Sequence, residues 1–199
     1  HFELYREYSK RVMSVIGRFS PLVEQVSVDE AFVDVRGSRL RFGKPTHIAG
    51  EIRRQIREEI GLPASVGIAS TKSVAKIASS NAKPDGVLLV PAQATIEFLH
   101  GLPVGALWGV GAKSAQVLER EGIETIGQLA EHPLPRLSRL LGAAAAHSLH
   151  DLAWGIDPRP VTVSREEKSV GMERTFETDI RDRALLDQFI TKASHECAR

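Results

Sequence analysis

The spacing of apolar residues along the first ninety positions predicts helices that alternate with short strands. Apolar side chains recur every three or four residues over 3–19, and isoleucines recur every four residues over 48–60, as in amphipathic helices. Residues 71–82 show a third pattern of this kind, whereas 36–46 are rich in Gly, Arg and Pro and are expected to form a loop. Short runs rich in β-branched residues predict strands at 22–28, 31–35, 65–70 and 87–90.

The resulting order of elements is α-β-β-α-β-α-β, which predicts an α+β fold. It corresponds to a partial ferredoxin-like sheet of the split βαβ type, with its helices on one face. The opening strand that such a sheet normally has is missing from the pattern. We therefore expect an unpaired sheet edge, a feature that favours dimerisation or local disorder.

The pattern changes after Pro91. From there to about residue 157 it consists of short helices that glycines and prolines interrupt, which predicts a small all-helical domain. Residues 169–180 then alternate loosely, as in a strand, and a further helix begins near residue 183. The predicted division is a first domain at 1–91, the helical domain at 92–160, a linker at 161–168 and the start of an α+β domain at 169–199.

The amino-acid composition limits the classes of protein to which this chain can belong. A hydrophobic fraction of 42% supports real cores, and no apolar run approaches the length of a membrane span, so we expect no membrane contact and a cytoplasmic location. The single cysteine, Cys197, excludes an internal disulfide and indicates a reducing compartment. The chain starts at His1 instead of Met, and we expect it to be part of a longer protein.

The net charge is +1, but basic and acidic residues are unevenly distributed along the chain. Residues 1–91 carry 14 Lys and Arg against 10 Asp and Glu, whereas residues 92–160 carry 5 against 7. Proteins that bind nucleic acids often have a stronger positive field. If this chain binds a nucleic acid, we expect local clusters and backbone amides to make the contact.

An adjacent pair of carboxylates, Asp29 and Glu30, interrupts the apolar run LVEQVSVDEAFVDV between two predicted strands. At the tight bend of a hairpin two neighbouring side chains can converge, and converging carboxylates repel each other unless a cation lies between them. Oxygen ligands of this kind suit Mg²⁺ or Mn²⁺, and two such ions support phosphoryl transfer. The residues alone leave a second interpretation equally open, in which the pair belongs to a polar turn in water.

Three lysines stand on or just after the helix predicted at 71–82. Lys83 lies at its end, before a Pro-Asp-Gly turn, where it either favours the helix C-terminus or offers a point charge to a polyphosphate. Lys72 and Lys76 lie one helical turn apart and are interpreted either as a solvated face or as a contact to a nucleic-acid backbone.

The stretch LPVGALWGVGAKSAQVLEREG predicts a helix, a tight turn formed by Gly109, Val110 and Gly111, and a second helix. The glycines let the turn close and leave backbone amides bare at the start of a helix, where an anion is favoured. A helix-hairpin-helix motif of this kind binds DNA phosphates without recognising bases. Lys113 is assigned to the same contact. An ordinary corner between two helices is the alternative.

Four stretches carry a resemblance to a single family, and they occur in order along nearly the whole chain. They are SVDEAFVDV, VGIASTKSVAKIASSNAKPDG, LWGVGAKSAQVLEREGIETIGQLA and KSVGMERTFETDI. The chain resembles the Y-family, translesion DNA polymerases, close to the DNA polymerase IV group. The resemblance implies most of a palm at 1–91, a thumb at 92–160 and the beginning of a little finger domain at 169–199.

The resemblance also implies a site with its cofactors and partners. In such enzymes an acidic pair binds two Mg²⁺ ions, with Mn²⁺ as an expected substitute, and this role falls to Asp29 and Glu30. Lys83 would bind the incoming deoxynucleoside triphosphate, and the glycine turn would hold a phosphate of the primer-template DNA. The family's first metal-binding aspartate, its steric gate and its fingers have no counterpart here, so this chain alone is expected to be inactive. A contact with a sliding clamp is expected only through segments outside these 199 residues.

Two alternative functions compete with a polymerase. A catalytically idle DNA-binding or scaffold relative would use the glycine turn alone and would not need Asp29, Glu30 and Lys83 together. A nucleotide cyclase places acids on a similar hairpin, but the helix-hairpin-helix pattern that follows disfavours it. The sequence therefore favours template-directed nucleotide addition.

Overall fold

In the computed structural model, which describes residues 2–163 and 169–198, the predicted alternation of helices and short strands is present. Residues up to Val163 belong to one compact unit, and the described residues after it belong to a second. The helices of the first unit are α1 (Phe2–Gly17), α2 (Arg39–Phe42), α3 (Pro45–Ile60), α4 (Lys72–Asn81), α5 (Thr95–His100), α6 (Ala112–Arg120), α7 (Ile126–Glu131), α8 (Leu134–Leu141) and α9 (Ala143–Ala153). Its strands are β1 (Val23–Gln25), β2 (Ala31–Val33), β3 (Val66–Ile68) and β4 (Val87–Leu89), and the second unit contains α10 (Arg183–Cys197).

The four strands form two separate pairs. Strands β1 and β2 are antiparallel, with Val23 opposite Val33, and strands β3 and β4 are parallel, with Val66 opposite Val87. Within the described residues no hydrogen bonds of a sheet join the two pairs. The α+β class is confirmed, but the prediction of a single ferredoxin-like sheet is wrong for the described residues, which hold two two-stranded ribbons.

Helix α3 illustrates how the sequence pattern becomes a packed element. Pro45 stands in its first turn, where the fixed φ of proline suits a helix, and Gly61 ends it with a φ of +80°. Ile48, Ile52 and Ile56 lie on one face and are buried against α1, where Val15 and Ile16 meet them, and Ile60 is partly buried on the same face. This cluster is the core beneath the β1–β2 ribbon.

Helix α4 belongs to a different and larger core. Its residues Val74, Ile77 and Ala78 are buried together with apolar residues of the helices that follow β4, such as Leu99 and Leu137. The predicted domain boundary at residue 91 stays a prediction, and the packing shows that it does not coincide with a break in the core. Helix α4 thus links the strands of the first ninety residues to the helical part.

Two predictions of local structure are wrong. The predicted loop at 36–46 contains a 3₁₀ turn (Arg36–Ser38), helix α2 and the start of α3; Leu40 on α2 is fully exposed, so no apolar periodicity revealed that helix. The predicted strand at 169–180 does not form in the part of the chain that the structure describes. A strand needs a partner for its hydrogen bonds, and the described residues of this unit offer only helix α10.

None of the helices in the described ranges combines the length and the apolar character that crossing a membrane requires.

Candidate active site

The carboxylate pair lies on a tight bend between β1 and β2, formed by residues 26–30 and called here the acidic bend. The bend is closed by the N–H of Val26, which donates to the carbonyl of Glu30 over 2.9 Å. The Ser27 hydroxyl donates to Oδ1 of Asp29 over 2.6 Å, and the Asp29 N–H donates back to that hydroxyl over 3.2 Å. Asp29 is exposed and Glu30 is partly buried, so the pair stands at the end of a ribbon and not inside a buried strand.

Lys76 on α4 reaches across to the acidic bend. Its ammonium donates to Oε1 of Glu30, and the two side chains are 30% and 41% exposed. The contact neutralises one carboxylate of the pair and fixes its direction. The predicted contact of Lys76 with DNA stays a prediction, and the structure places its charge on Glu30 instead.

A cavity of about 300 Å³, called here the inter-ribbon pocket, lies between the two strand pairs. Its apolar part is lined by β2, β3 and the inner faces of α1 and α3. Its polar part brings together residues that are far apart in sequence: Asp29, Glu30, Lys76, Lys83 and the nearby serines of α4. Four of the predicted site residues therefore line the same pocket.

Lys83 stands in the turn after α4, and Asp85 fixes that turn to α3. The Asp85 carboxylate accepts a hydrogen bond from Arg53 over 2.9 Å, and Arg57 donates to its other oxygen. The hydrogen bond from Arg53 is the main cause that holds the pKa of Asp85 below its ordinary value. Lys83 itself is exposed and forms no ion pair with any described residue. Sequence reasoning treated Pro-Asp-Gly as a simple turn and missed the anchoring role of Asp85.

The predicted DNA-binding turn, called here the glycine hairpin (Gly109, Val110 and Gly111), precedes helix α6. Gly109 has a φ of +104°, which favours glycine, and the N–H of Val110 closes the turn onto the carbonyl of Leu107 over 3.0 Å. No side chain in the described ranges caps the N-terminus of α6, which leaves its first amides to solvent or a ligand. Lys113 is exposed in that first turn. The element before the hairpin is a 3₁₀ turn (Val104–Ala106) and not the predicted α-helix.

The described ranges contain no group of three or more His, Cys, Asp or Glu side chains arranged to hold a metal ion. Asp29 and Glu30 therefore offer two carboxylates without a third acidic ligand from that part of the chain.

The comparisons with known proteins agree with one another. The sequence model of the impB/mucB/samB family matches residues 1–80. DNA polymerase IV 2 of Mesorhizobium japonicum is 45% identical over 173 residues, which cover 87% of this chain, and DNA polymerase IV of Streptomyces coelicolor is 43% identical over 200 residues, which cover 100% of it. A solved structure titled Y-family DNA polymerase chimera Dbh-Dpo4(243-245)-Dbh matches all of this chain and 58% of its own with a TM-score of 0.87 and 26% identity.

The chain belongs to the Y-family of DNA polymerases. It spans 42% of the length of each of the two curated relatives.

Within this Y-family chain, Lys72 lies in an unexpected environment. Its side chain is 8% exposed, and its ammonium forms an ion pair with Oε2 of Glu24 over 2.5 Å, where Glu24 is 4% exposed. The ammonium also lies 4.9 Å from the centroid of the Phe32 ring. The predicted contact of Lys72 with DNA stays a prediction, but the charge points inward and is already bound. Glu24, which sequence reasoning did not single out, is its partner.

We expect Lys72→Met to lower the free energy of unfolding by about 3–5 kcal/mol, because the substitution leaves the buried Glu24 carboxylate without this ammonium. Urea denaturation of the chain measures the change, with Lys10→Met on the exposed face of α1 as the control that should change little. Near-normal stability combined with weaker DNA binding would instead make Lys72 a DNA contact and contradict the buried ion pair.

Proposed function

We propose that this chain forms the palm and thumb of a cytoplasmic, lesion-bypass DNA polymerase that adds deoxynucleotides to a primer under the direction of a template. The observation that carries the proposal is the convergence of Asp29, Glu30 and Lys83 on the inter-ribbon pocket, which Trp108, the residue before the glycine hairpin, also lines. A carboxylate pair beside a lysine suits a metal-bound triphosphate, and the hairpin next to it suits a DNA phosphate.

The carboxylates of the acidic bend fit divalent cations. Asp29 is exposed and only one of its oxygens is bound by Ser27, while Glu30 is held toward the pocket by Lys76. Such oxygen donors suit Mg²⁺, with Mn²⁺ as a substitute. Two bound ions would activate the attacking oxygen of the primer and stabilise the leaving phosphate. The protein's own contribution is to hold both carboxylates at the end of a ribbon that packs on a helical core.

The two lysines at the pocket have different tasks in this proposal. Lys76 orients Glu30 and balances its charge. Lys83 extends from a turn that Asp85 ties to α3, and it offers a point charge to the triphosphate of the incoming nucleotide. The turn is anchored, so the lysine is positioned before the nucleotide arrives, and less ordering is needed on binding.

The glycine hairpin holds the duplex through backbone amides, and this leads to a test. Gly109→Val should weaken primer-template binding about tenfold and equally for all sequences, the loss expected for one hydrogen bond to a charged phosphate. A β-branched residue is strained at a φ of +104°, and its Cβ lies 3.4 Å from the Leu149 side chain. Fluorescence anisotropy with two duplexes of different sequence measures the effect.

Gly122→Val is the matched control for the hairpin. Gly122 also has a positive φ, +78°, and lies at the opposite end of α6, where no described atom beyond its chain neighbours is within 4 Å of an added Cβ. The control should carry the backbone strain without the loss of DNA affinity. An equal loss in both variants, or a loss that depends on the DNA sequence, would count against the amide contact.

The 199-residue chain by itself should bind primer-template DNA weakly and should not extend the primer. Its described residues supply two carboxylates and no third acidic ligand, and catalysis by preorganised charge tolerates little misplacement. Primer extension with Mg²⁺ and then Mn²⁺ tests this, with the Asp29→Ala, Glu30→Ala double variant as the background. Templated extension above that background would overturn the expectation.

A second candidate, a DNA-binding relative without catalysis, rests on the same lack of a third acidic ligand among the described residues. The two candidate functions predict different results when a relative supplies the rest of the polymerase. A chimera that carries these 199 residues in place of the matching region of a DNA polymerase IV relative extends primers under the polymerase proposal. It binds DNA without extending it under the alternative.

A further inference from the structure

Five side chains meet where the palm, the glycine hairpin and the segment after α9 come together. None of them is a proposed metal or nucleotide ligand, although Phe32 and Trp108 also line the inter-ribbon pocket. We call them the junction cluster; its members are Phe32, Lys72, Trp108, Asp157 and Arg159.

The first contacts of the junction cluster join palm and thumb. The rings of Phe32 and Trp108 lie 5.6 Å apart at an angle of 40°, and the Lys72 ammonium lies 4.9 Å from the Phe32 ring. Phe32 follows Glu30 by two residues and is the middle residue of β2, and Trp108 immediately precedes Gly109. The ring contact therefore connects the strand that directly follows a proposed metal ligand to the hairpin that is proposed to hold DNA.

The second set of contacts adds the segment that follows α9. The Arg159 guanidinium lies 4.2 Å from the Trp108 ring and donates to both oxygens of Asp157, over 2.6 and 2.8 Å. The Asp157 carboxylate is 1% exposed and also accepts the N–H of Ser73 at the start of α4 over 3.0 Å. Burial alone raises the pKa of Asp157, but the hydrogen bonds and charge of Arg159, together with the N–H of Ser73, outweigh it and hold the pKa below its ordinary value.

The same segment closes over the buried ion pair beneath the ring contact. The Lys72 ammonium donates to the carbonyl of Pro160 over 3.3 Å, and the N–H of Thr162 donates to Oε2 of Glu24 over 2.9 Å. The contacts thus form a closed ring. It runs from Phe32 on β2 to Trp108, then to Arg159 and Asp157, and returns through the start of α4 to β2. Buried ion pairs add little net stability compared with apolar packing, so a role in fixing one geometry accounts for this arrangement better.

We infer that the junction cluster is a positioning device that sets the glycine hairpin relative to Asp29 and Glu30, with Asp157 and Arg159 as its positioning residues. The inference rests on the proposed function, since the hairpin and the acidic bend matter together only if the DNA end must meet the metal site. Asp157 ties the segment after α9 to α4, and Arg159 ties it to Trp108 beside the glycine hairpin. Loss of either contact leaves palm and thumb folded but frees their relative orientation.

The test measures the distance between palm and thumb in the full chain by pulsed electron paramagnetic resonance. Spin labels replace Lys10 on α1 and Glu119 on α6, both exposed, in a background where Cys197→Ser removes the natural thiol. The original chain should give a narrow distance distribution. Asp157→Asn should widen it about twofold, as expected when a supporting contact is lost. Asp151→Asn, an exposed aspartate on α9, should leave it unchanged.

Binding of primer-template DNA separates this inference from the proposed function. Asp157→Asn should weaken binding about fivefold because the two gripping surfaces are no longer preorganised, and Arg159→Lys, at a half-exposed position, should give an intermediate width and affinity. If Asp157→Asn does not fold, the width of the distance distribution in Arg159→Lys tests the inference instead. An unchanged distribution in the folded variants overturns the inference. Absence of DNA binding by the original chain overturns the proposed function, whatever the distances show.

Discussion

In the chimera with a DNA polymerase IV relative, Asp29→Asn and Glu30→Gln should each lower the rate of nucleotide addition by about three orders of magnitude or more. Both substitutions keep the size of the side chain and remove the negative charge that a divalent cation requires. The duplex is held by the hairpin, so its affinity should change little. Single-turnover extension at saturating DNA and Mg²⁺ measures the rate, and anisotropy measures the affinity.

Asp34→Asn is the control for this pair of variants. Asp34 lies just past the end of the same ribbon, and its carboxylate is bound by Arg36, whose hydrogen bond holds the pKa of Asp34 below its ordinary value. It does not line the inter-ribbon pocket, so the rate should stay near that of the chimera. Either acidic-bend variant keeping more than about a tenth of the rate would remove Asp29 and Glu30 from the chemistry.

Gly67→Ala should destabilise the 199-residue chain by about 3 kcal/mol or more, the upper range of overpacking. A Cβ at this position would lie 2.0 Å from the carbonyl oxygen of Ala75 and 2.3 Å from the backbone nitrogen of Ser79. Both atoms belong to α4, which packs directly on β3. The helix must therefore move away from the strand, and buried side chains such as Val74 must leave their places in the core. Urea denaturation measures the change.

Gly50→Ala tests whether the loss of stability in Gly67→Ala comes from the close approach of α4 to β3 and not simply from replacing a glycine. Gly50 lies inside α3, and apart from the neighbouring backbone of the helix no described atom is within 4 Å of an added Cβ. Alanine there should stabilise the chain by about 0.5–1 kcal/mol, because glycine weakens a helix interior. A folded Gly67→Ala chain within about 1 kcal/mol of the original would show that α4 and β3 are not packed as described.

Local patterns in the sequence predicted what depends on neighbours along the chain. The isoleucines of α3 predicted its buried face because a helix turns every 3.6 residues, and the polar break in an apolar run predicted the acidic bend. The same reasoning singled out Lys83, because a lysine before a Pro-Asp-Gly turn is a local feature; the structure places it at the pocket, and its role stays a prediction. These predictions needed no knowledge of which elements pack together.

Features that depend on distant partners could not be predicted in this way. Lys72 and Lys76 share a helix, but only tertiary packing decides that Lys72 meets Glu24, 48 residues away, while Lys76 meets Glu30. The pairing of Asp157 with the start of α4 spans 84 residues and leaves no periodic signal. The predicted strand at 169–180 failed for the same reason, because alternation indicates a possible face and not a partner strand.

Incorporation of single nucleotides shows whether this chain carries the palm and thumb of a template-directed polymerase. The folded chimera is given four primer-templates that differ only in the first templating base, and each is offered one deoxynucleoside triphosphate at a time with Mg²⁺. We expect fastest addition of the complementary nucleotide in every case, and loss of addition when Asp29 and Glu30 are both replaced by alanine. A chimera that binds the four duplexes but adds no nucleotide, or adds nucleotides without regard to the template, would contradict this expectation.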